Sequence, residues 1–535
     1  MRIHTVILLM VLAPPLMAQH LVVASSTSAP ESLDNQQAAP LINLARSAML
    51  DFLKNRTPAD RQEIPTRLAG LQNVKCGVAV GIRIEGQLKA QAFASDKTLC
   101  RNIIAASLGA LRSPSLPDRV TPELIQSATL EIETIENLSA VGSEQIEPSY
   151  AQGLTGLLLK AGGREAFSLP SAAYEYGLMA AQAQARCKVQ LPQAQLPAAK
   201  WFLFSSRHCV GYANGKAIWL FRGKAPIPAN FDAHANTLAA AQIGLYLQTH
   251  QDKDGCFRAG GARATLSEHL YAAYAMSRLA NLASERYDAR RALKYAQGLA
   301  RKADNLTYLA SEDPLDQLLS AGFYILASAE AGIEKDDLRD ELARTIAARM
   351  AMPQLPARMD GAASPAGTRT ALCIAARALA GSTDKAAKLL IDRAAAAAPD
   401  SAMSALWKSW AGLGLAQVPP EMALKNCASQ LPDEQGGLCT AQKATPQTLV
   451  AALAALTLLR QVEQAQLDRK TEDEAQLRRQ LQAAQWFCTR MSYQPDEAYF
   501  AADSADWIGA VRVSPDSAAV NVRTCAAAIE ALLAK

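Results

Sequence analysis

The residues of this chain that best suit acid–base chemistry are Glu268, His269 and Asp316. Glu268 and His269 are neighbours near the start of one predicted helix, and Asp316 stands near the start of a later one. A carboxylate and an imidazole held together can act as a general acid and a general base. The same residues also suit ordinary capping, because acidic side chains stabilise the first turn of any helix. The sequence therefore leaves open whether the protein is an enzyme.

Further polar residues mark the starts of alternate predicted helices. If those helices are parallel, their N-termini gather at one mouth, where the positive helix ends and two arginines could hold an anionic or hydroxyl-rich ligand. Simple caps and solvated helix ends are the alternative interpretation. The candidate ligand-binding residues are Gln317, Arg369, Thr370, Gln447, Asn521 and Arg523, with Ser401, Ser404 and Thr448 at corresponding positions.

Several enzyme signatures are absent from the sequence. Its six histidines form no His-Glu-x-x-His pair, which argues against a metalloprotease. There is no Gly-x-Ser-x-Gly elbow, no phosphate-binding glycine loop and no Asp-x-Asp-Asp run. We therefore predict neither a metal nor a cofactor. Trp407 and Trp410 lie three apart on one predicted helix and are expected to pack in the core, although an exposed pair could stack on a sugar.

Composition separates the two halves of this 535-residue chain. Hydrophobic residues make up 50% of it and aromatic residues only 6%. Alanine supplies much of the difference after about residue 230, which predicts closely packed helices in the second half. The net charge of +4 is spread over the whole chain and indicates no dedicated surface for nucleic acid or lipid.

Helical spacing of apolar residues continues almost to the C-terminus after a proline-bearing linker at residues 224–232. Asp313-Pro314, Ser364-Pro365 and Thr445-Pro446 each place a capping side chain before a proline at the first helical position. About a dozen helices, or six helical hairpins, are predicted in this way. Their expected starts lie near residues 233, 266, 286, 314, 335, 366, 384, 401, 418, 446, 472 and 517.

Glycine-bearing loops recur between these predicted hairpins, at Gln251–Phe257, Asp433–Leu438 and Asp506–Val511. The first, Gln-Asp-Lys-Asp-Gly-Cys-Phe, resembles the Gln-x-x-x-Gly-x-aromatic turn of terpene cyclases and related helical toroids. A glycine permits the tight turn, and the apolar residue after it can insert between neighbouring helices. The resemblance implies an (α/α)6 toroid, a ring of six inner and six outer helices. An open solenoid of helical pairs is the alternative.

The first half mixes helices and strands. A helix is expected over Leu41–Lys54, and the Val- and Ile-rich stretch Cys76–Ile84 turns at Glu85-Gly86 into a second strand. Ala128–Ile135 alternates apolar residues with Glu131 and Glu133, which predicts a half-buried strand. The remaining expected elements are a helix at Arg101–Leu111, strands at Gly156–Lys160 and Ala166–Leu169, and a closing hairpin at Lys200–Ser205 and Ala217–Arg222.

This order of elements resembles the AMMECR-one family over roughly residues 40–223. The matching pieces are Leu44–Ala48 in the first helix, Gly77–Val80 in the first strand, and Leu154–Arg164 with its Gly-Gly-Arg turn, followed by Leu169-Pro170. The resemblance implies an α+β domain. It also implies partners, because the family is often associated with Memo-type and radical-SAM proteins.

One departure from that family bears on function. Its best-known segment reads Leu-Arg-Gly-Cys-Ile-Gly, whereas the aligned stretch here is Leu88–Phe93, without glycine or cysteine. Any chemistry that depends on that cysteine in the family is therefore absent here. We interpret the domain as a divergent binding or scaffolding member.

The N-terminus is typical of a secretory signal peptide. Arg2 precedes an apolar stretch from Thr5 to Met17 that is too short to span a bilayer, and Ala18 offers a small residue for cleavage. An uncleaved anchor is the alternative. Residues 1–18 are therefore interpreted as a signal peptide and 19–39 as a mobile polar leader, so that a periplasmic or secreted protein is expected.

The sequence contains ten cysteines, and an oxidising compartment would allow them to form disulfides. Their even number and the absence of a Cys-x-x-Cys pair favour disulfides over a zinc or thioredoxin-like site. Proximity in sequence suggests the pairs Cys76–Cys100, Cys187–Cys209, Cys427–Cys439 and Cys488–Cys525, although spacing does not determine connectivity. Buried free thiols are the alternative, in particular for Cys256 and Cys373.

These expectations give an AMMECR-one-like α+β domain at 40–223, a linker at 224–232 and a toroid at 233–535. The leading hypothesis is an exported protein whose toroid cavity binds a glycan or a peptide. One alternative is a carbohydrate-active enzyme of the lyase, hydrolase or epimerase type. The other is a docking component of a Memo or radical-SAM modification system.

Overall fold

A computed structural model of the protein describes residues 35–117, 120–150, 152–161, 164–220, 231–283, 287, 289–303, 306–309, 313–333, 336–351, 365–396, 402–412, 447–494, 497–514 and 517–534. The chain divides into two compact units, each of which is treated by itself. The first comprises Met1–Arg222, Pro495–Ala505 and Asp516–Ala518, and the second comprises Gly223–Gln494, Asp506–Pro515 and Ala519–Lys535. The predicted signal peptide, most of the leader and residues 224–230 of the predicted linker lie outside the described ranges.

The first unit combines an antiparallel sheet with short helices, which is the α+β architecture expected. Its sheet has seven strands in the order β2-β1-β3-β6-β4-β5, with β7 on β6. The strands are β1 Val78–Ile84, β2 Gln87–Ala94, β3 Thr129–Val141, β4 Thr155–Ala161, β5 Arg164–Ser168, β6 Lys200–Gly211 and β7 Ala217–Trp219. The helices are α1 Asn35–Asn55, α2 Leu99–Ala110, α3 Pro122–Ser127, α4 Ile146–Ser149, α5 Pro170–Tyr176 and α6 Ala180–Val189.

The first hairpin turns at Glu85-Gly86, as predicted. Glu85 and Gly86 both adopt positive φ, 50° and 73°, which a two-residue turn between twisted strands requires. Ile84 then pairs with Gln87, and after a one-residue shift between Arg83 and Ile82 the pairing runs on to Val78 opposite Ala94. Helix α1 begins at Asn35, ahead of the predicted Leu41 and within the stretch assigned to the mobile leader.

One face of the sheet packs against α1 and α2. Val80, Ile82, Leu130 and Ile132 are fully buried in this cluster because alternate residues of a strand point to the same side. Arg46 of α1 donates to the carbonyls of Gln126 and Ala128 at 2.9 and 3.1 Å. That guanidinium therefore satisfies carbonyls at the end of α3 that the helix itself leaves unpaired.

The other face of the sheet is covered as well, which corrects one prediction. Glu131 and Glu133 were expected to face solvent from a half-buried strand, but they are only 3% and 2% exposed. They share this face with Ala79, Ile135 and Phe204, over which Leu169 packs. The alternating pattern gave the correct faces, but it could not show that the polar face would also be covered.

The second unit is mainly helical. No helix among its described residues, or among those of the first unit, is both long enough and apolar enough to cross a bilayer. The helices are α7 Ala233–Thr249, α8 Leu266–Ala283, α9 Ala289–Gly298, α10 Pro314–Glu330, α11 Asp337–Ala351, α12 Pro365–Ala378, α13 Lys385–Ala396, α14 Ala402–Gly412, α15 Thr448–Leu467, α16 Thr471–Met491 and α17 Val522–Leu532. The short strands are β8 Arg258–Ala259, β9 Ala262–Arg263, β10 Ala300–Ala303, β11 Leu306–Leu309, β12 Arg512–Ser514 and β13 Ser517–Val520.

Six of these helices pack in sequence against one another. Helix α8 packs on α10, α10 on α12, α12 on α14, α14 on α15, α15 on α17, and α17 returns to α8. Helices α7, α9, α11, α13 and α16 each pack against one or two members of that set. Most predicted helix starts lie within three residues of the observed ones.

Strands in the helical unit were not predicted. Pairs of short strands precede α8, α10 and α17, and β13 explains why the last helix begins at Val522 rather than near 517. The glycine turns were correctly predicted at two loops, where Gly255 and Gly509 have φ of 100° and 87°. The predicted helix near 418 and the loop Asp433–Leu438 lie outside the described residues.

Candidate functional site

A buried ionic network crosses the covered face of the first unit's sheet. Glu131 on β3 forms an ion pair with Arg83 on β1, and its second oxygen lies 2.8 Å from Nε2 of His208 on β6. All three side chains are at least 96% buried. Burial alone raises the pKa of a carboxyl group, but Arg83 and His208 outweigh it and lower the pKa of Glu131 to about 2. Glu131 is therefore a stable carboxylate inside the domain.

The Arg83 guanidinium is enclosed on every side. It donates to the Gly86 carbonyl at 2.7 Å and to Glu175 of α5 at 3.1 Å through Nη1, and Nη2 forms a second bond to Glu175. The ring of Tyr499 lies over it, 4.9 Å from the centroid, and meets the His208 ring edge to face. Tyr499 belongs to the returning segment Pro495–Ala505 of this unit. The charges of this network are therefore paired with one another and shielded from solvent, which is typical of a structural role.

Glu133 uses only one of its two carboxylate oxygens among the described residues. Its Oε1 accepts from the Ser206 hydroxyl at 2.5 Å and from the Ser171 amide at 3.3 Å. Its Oε2 is buried and has no hydrogen-bond partner among the residues that the structure describes. No group of three or more His, Cys, Asp or Glu side chains in the same residues could hold a metal ion.

An open groove lies elsewhere in the first unit, where β3 ends and β6 begins. Its volume is about 1270 Å3. Trp201 and Leu191 are its most buried lining residues, whereas Lys188, Lys200 and Glu144 are exposed around it. The other lining residues are Ala140, Val141, Gly142, Ser143, Gln145, Val189, Gln193, Leu196, Pro197 and Ala199. An apolar base with a charged rim is typical of a binding surface.

The groove continues along a stretch of β3 that, within the described sheet, is paired on one side only. β1 pairs with β3 only from Thr129 to Thr134, and the β3 register with β6 shifts between Glu136 and Ser139. Asn137 at this shift has a φ of 52°. Beyond it, within the described sheet, Ser139–Val141 pairs with β6 alone, which leaves one backbone edge of β3 available.

Glu268 and His269, the leading catalytic candidates, have local structural roles. Glu268 accepts from the Thr265 amide at 3.1 Å in a capping arrangement, and it lies 3.8 Å from Nε of Arg523. His269 is fully buried and accepts from the Phe257 amide at 3.3 Å, while Nε2 lies 2.9 Å from the Ala292 carbonyl. Burial lowers the pKa of His269 to about 4. The structure thus makes His269 a neutral core residue rather than a cavity-facing base.

Of the remaining predicted residues, Arg523 lies beside another predicted site residue, with its Nε 3.8 Å from Glu268. Asp316 and Gln317 are partly exposed in the first turn of α10, where Asp316 makes no bond to Glu268 or His269 within the described chain. Asn521 caps α17 through the Thr524 amide at 2.7 Å. Gln447 precedes α15, and Thr448, the first residue of that helix, donates to the Arg512 carbonyl. Thr370 lies in the second turn of α12. The Arg369 side chain and Ser401 lie outside what the structure describes, and Ser404 is buried.

The interior of the helical unit holds a carboxylate that sequence reasoning missed. Glu530 of α17 is fully buried. It accepts from the Tyr271 hydroxyl at 2.7 Å, from Trp410 Nε1 at 3.0 Å and from Arg278 at 2.9 Å. A single charge inside the apolar run Ala526–Leu533 was the available signal.

Aromatic rings surround that carboxylate. Tyr271, Phe323, Trp407 and Trp410 form mutual ring contacts with centroids between 4.7 and 6.4 Å apart. Trp407 and Trp410 are 4% and 0% exposed, which confirms that they pack in the core. The space between α8, α10 and α14 is therefore filled by side chains rather than by a polar cavity.

The described cysteines are free thiols. All eight are buried and none forms a disulfide, namely Cys76, Cys100, Cys187, Cys209, Cys256, Cys373, Cys488 and Cys525. The predicted disulfides Cys76–Cys100, Cys187–Cys209 and Cys488–Cys525 are therefore not formed. Cys187 and Cys209, for example, pack in separate apolar clusters of the first unit. The predicted pair Cys427–Cys439 lies outside the described residues.

Comparison with known proteins adds little to this picture. No protein-family model matches the sequence, and no curated protein matches it. One similar solved structure is an uncharacterised protein from Pyrococcus horikoshii, which is 18% identical over 35% of this chain and 97% of that one. Its TM-score of 0.30 is too low to support an argument about fold or function.

Proposed function

We propose that this protein is an exported binding protein whose first unit holds an extended peptide. The observation that carries the proposal is the edge of β3 at Ser139–Val141 that no described strand pairs with, which leads into the groove beside Trp201. A peptide that pairs with such an edge gains main-chain hydrogen bonds whatever its sequence. Its side chains can then contact the apolar groove, which supplies selectivity.

The rim of the groove favours a particular class of peptide. Lys188 and Lys200 are exposed beside the groove, and Glu144 is the one acidic residue in its lining. Val189 is 72% exposed, so an apolar side chain of a ligand gains buried area there. An extended peptide with acidic and apolar residues in alternation meets both requirements.

The test is binding of fluorescent peptides with alternating Val and Glu, followed by anisotropy. Methylation of the amides along one edge of the peptide should abolish binding, because that edge pairs with β3, while methylation of the other edge should leave it intact. Lys188→Glu and Lys200→Glu should each weaken binding at least threefold. Lys97→Glu, on an exposed loop of the same unit, is the matched control. Equal binding of both methylated peptides would exclude strand addition.

We also propose that the second unit is a closed (α/α)6 toroid. The support is the packing order, in which α8, α10, α12, α14, α15 and α17 each contact the next and the last contacts the first. An open solenoid has no contact between its first and last repeats. A double-mutant cycle in the full chain between Tyr271 of α8 and Glu530 of α17, which are in contact at 2.7 Å, should give a clear coupling free energy, because ring closure brings the first and last helices of the set together. Independent effects of the two substitutions would contradict closure.

The other functional hypotheses stay predictions. A carbohydrate-active toroid would need Glu268, His269 and Asp316 to act together, and the contacts of His269 do not favour that role. Association with Memo-type or radical-SAM proteins is suggested only by the family resemblance. Export can be tested by sequencing the N-terminus of the mature protein, for which Gln19 is the expected first residue.

A further inference from the structure

Two arginines flank one tyrosine near the C-terminal ends of α8 and α12. Arg278 lies in the second half of α8, and Arg377 is the penultimate residue of α12. Their guanidinium carbons lie 5.9 and 5.7 Å from the centroid of the Tyr274 ring. Both side chains are partly exposed, so solvent and small solutes reach them.

The Arg377 guanidinium has more N–H donors than its two hydrogen bonds use. Its Nη1 donates to the Trp410 carbonyl at 2.7 Å, and its Nη2 donates to the Tyr274 hydroxyl at 2.7 Å. A guanidinium carries five N–H donors, so among the described residues these two bonds leave the Nε donor of Arg377 without an assigned acceptor. Within the part of the chain that the structure describes, Arg377 forms no ion pair with a carboxylate. Its positive charge is balanced only by neutral acceptors and by the Trp410 ring, 3.8 Å away.

The nearby carboxylate is already committed to other donors. Glu530 Oε1 accepts from Arg278 at 2.9 Å, and Oε2 accepts from both Tyr271 and Trp410. Glu330 also interacts electrostatically with Arg278. Among the carboxylates that the structure describes, none therefore forms an ion pair with Arg377.

We propose that Arg377, with Arg278 beside it, is a binding site for the carboxylate of a small organic acid. A carboxylate matches the planar fork of a guanidinium and can accept two parallel hydrogen bonds from it. Tyr274 and Trp410 displace water from one side of the site, which strengthens the charge interaction relative to bulk solvent. An apolar group on the acid gains additional contact with these rings.

The experiment is calorimetric titration of the full chain with sodium benzoate at constant ionic strength, with benzamide as the uncharged control. Benzoate should bind saturably and benzamide should not. Arg377→Gln should weaken benzoate binding at least tenfold, whereas Arg478→Gln on the exposed side of α16 should leave it unchanged. Inorganic phosphate should compete only weakly, and equally strong competition would overturn the assignment to carboxylates.

A second measurement does not depend on the folding of a variant. Phenylglyoxal modifies free guanidinium groups, and saturating benzoate should slow modification of Arg377 in the wild-type chain, as followed by peptide mass spectrometry. Arg478 should be modified at the same rate with and without benzoate. Absence of saturable binding, or unchanged modification of Arg377, would refute the site even if Arg377→Gln were unstable.

Discussion

Glu530 Oε2 lies 3.0 Å from Trp410 Nε1 and so joins α17 to α14, two helices whose contacting residues are 120 positions apart in sequence. Both side chains are fully buried. Because burial of a charge is costly unless each oxygen is hydrogen-bonded, the three donors around Glu530 must form together as the helices assemble. This carboxylate therefore links the packing of α8, α14 and α17.

Replacement of Glu530 by Gln should strongly destabilise the second unit. The amide cannot neutralise Arg278, and its NH2 group faces donors rather than acceptors, so we expect a loss of about 3–5 kcal/mol in the free energy of unfolding. Urea denaturation followed by circular dichroism measures it. The control is Glu474→Gln on α16, whose side-chain pair with Arg478 is solvent-screened and should contribute far less to the free energy of unfolding. Similar losses in the two variants would contradict the role given to Glu530.

Gly→Ala substitutions in the loops of the second unit can separate two costs in the free energy of unfolding, namely backbone strain and steric conflict. A Cβ at Gly255 would lie 2.5 Å from the Arg291 carbonyl oxygen, and one at Gly509 would lie 2.4 Å from that of Gln242. Gly261 also has positive φ, 80°, but nothing lies within 4 Å of its Cβ position. Gly261→Ala should cost about 1 kcal/mol from backbone strain alone. Gly255→Ala and Gly509→Ala should each cost at least about twice as much, since neighbouring backbone must also move.

Local patterns predicted much of the fold. Helical spacing and proline caps located α7, α8, α10 and most of the later helices, because their apolar faces repeat at the period of the helix. The Glu85-Gly86 turn located the first hairpin for a similarly local reason. The short strands β8–β13 were not predicted, since two to four residues carry too little periodicity to be distinguished from loops.

The candidate sites were harder to predict because they depend on contacts between distant segments. Glu131 on β3 and His208 on β6 become partners only through the sheet register, and Glu530 meets Trp410 only once the helices pack. By contrast, His269 looked available for catalysis beside Glu268. Its position in the sequence could not show that Phe257 and Ala292 use both ring nitrogens.

Acid should weaken the first unit through Glu131. Its pKa in the folded protein, about 2, is below the ordinary value of 4.5, so the folded state favours the charged form. The stabilisation is therefore complete above about pH 4.5 and is lost as the pH falls towards 2. In Glu131→Gln this part of the pH dependence should vanish, with a loss at pH 7 of about 3 kcal/mol because Arg83 and His208 each lose a buried partner. Urea denaturation between pH 7 and pH 2.5 tests this, with the exposed Glu144→Gln as control.

His269 should behave in a distinctive way in a titration of the histidine rings by nuclear magnetic resonance. Burial lowers its pKa from 6.5 to about 4, because the buried site disfavours the imidazolium. In the unfolded chain this ring would take up a proton near pH 6.5, whereas in the folded chain it stays neutral until about pH 4. The free energy of unfolding should therefore be highest above pH 6.5 and should fall between pH 6.5 and 4. His269→Gln keeps one donor for the Ala292 carbonyl and one acceptor for the Phe257 amide, and it should remove this part of the pH dependence. A ring of His269 that titrates above pH 6 would instead indicate solvent access and would restore it as a candidate base.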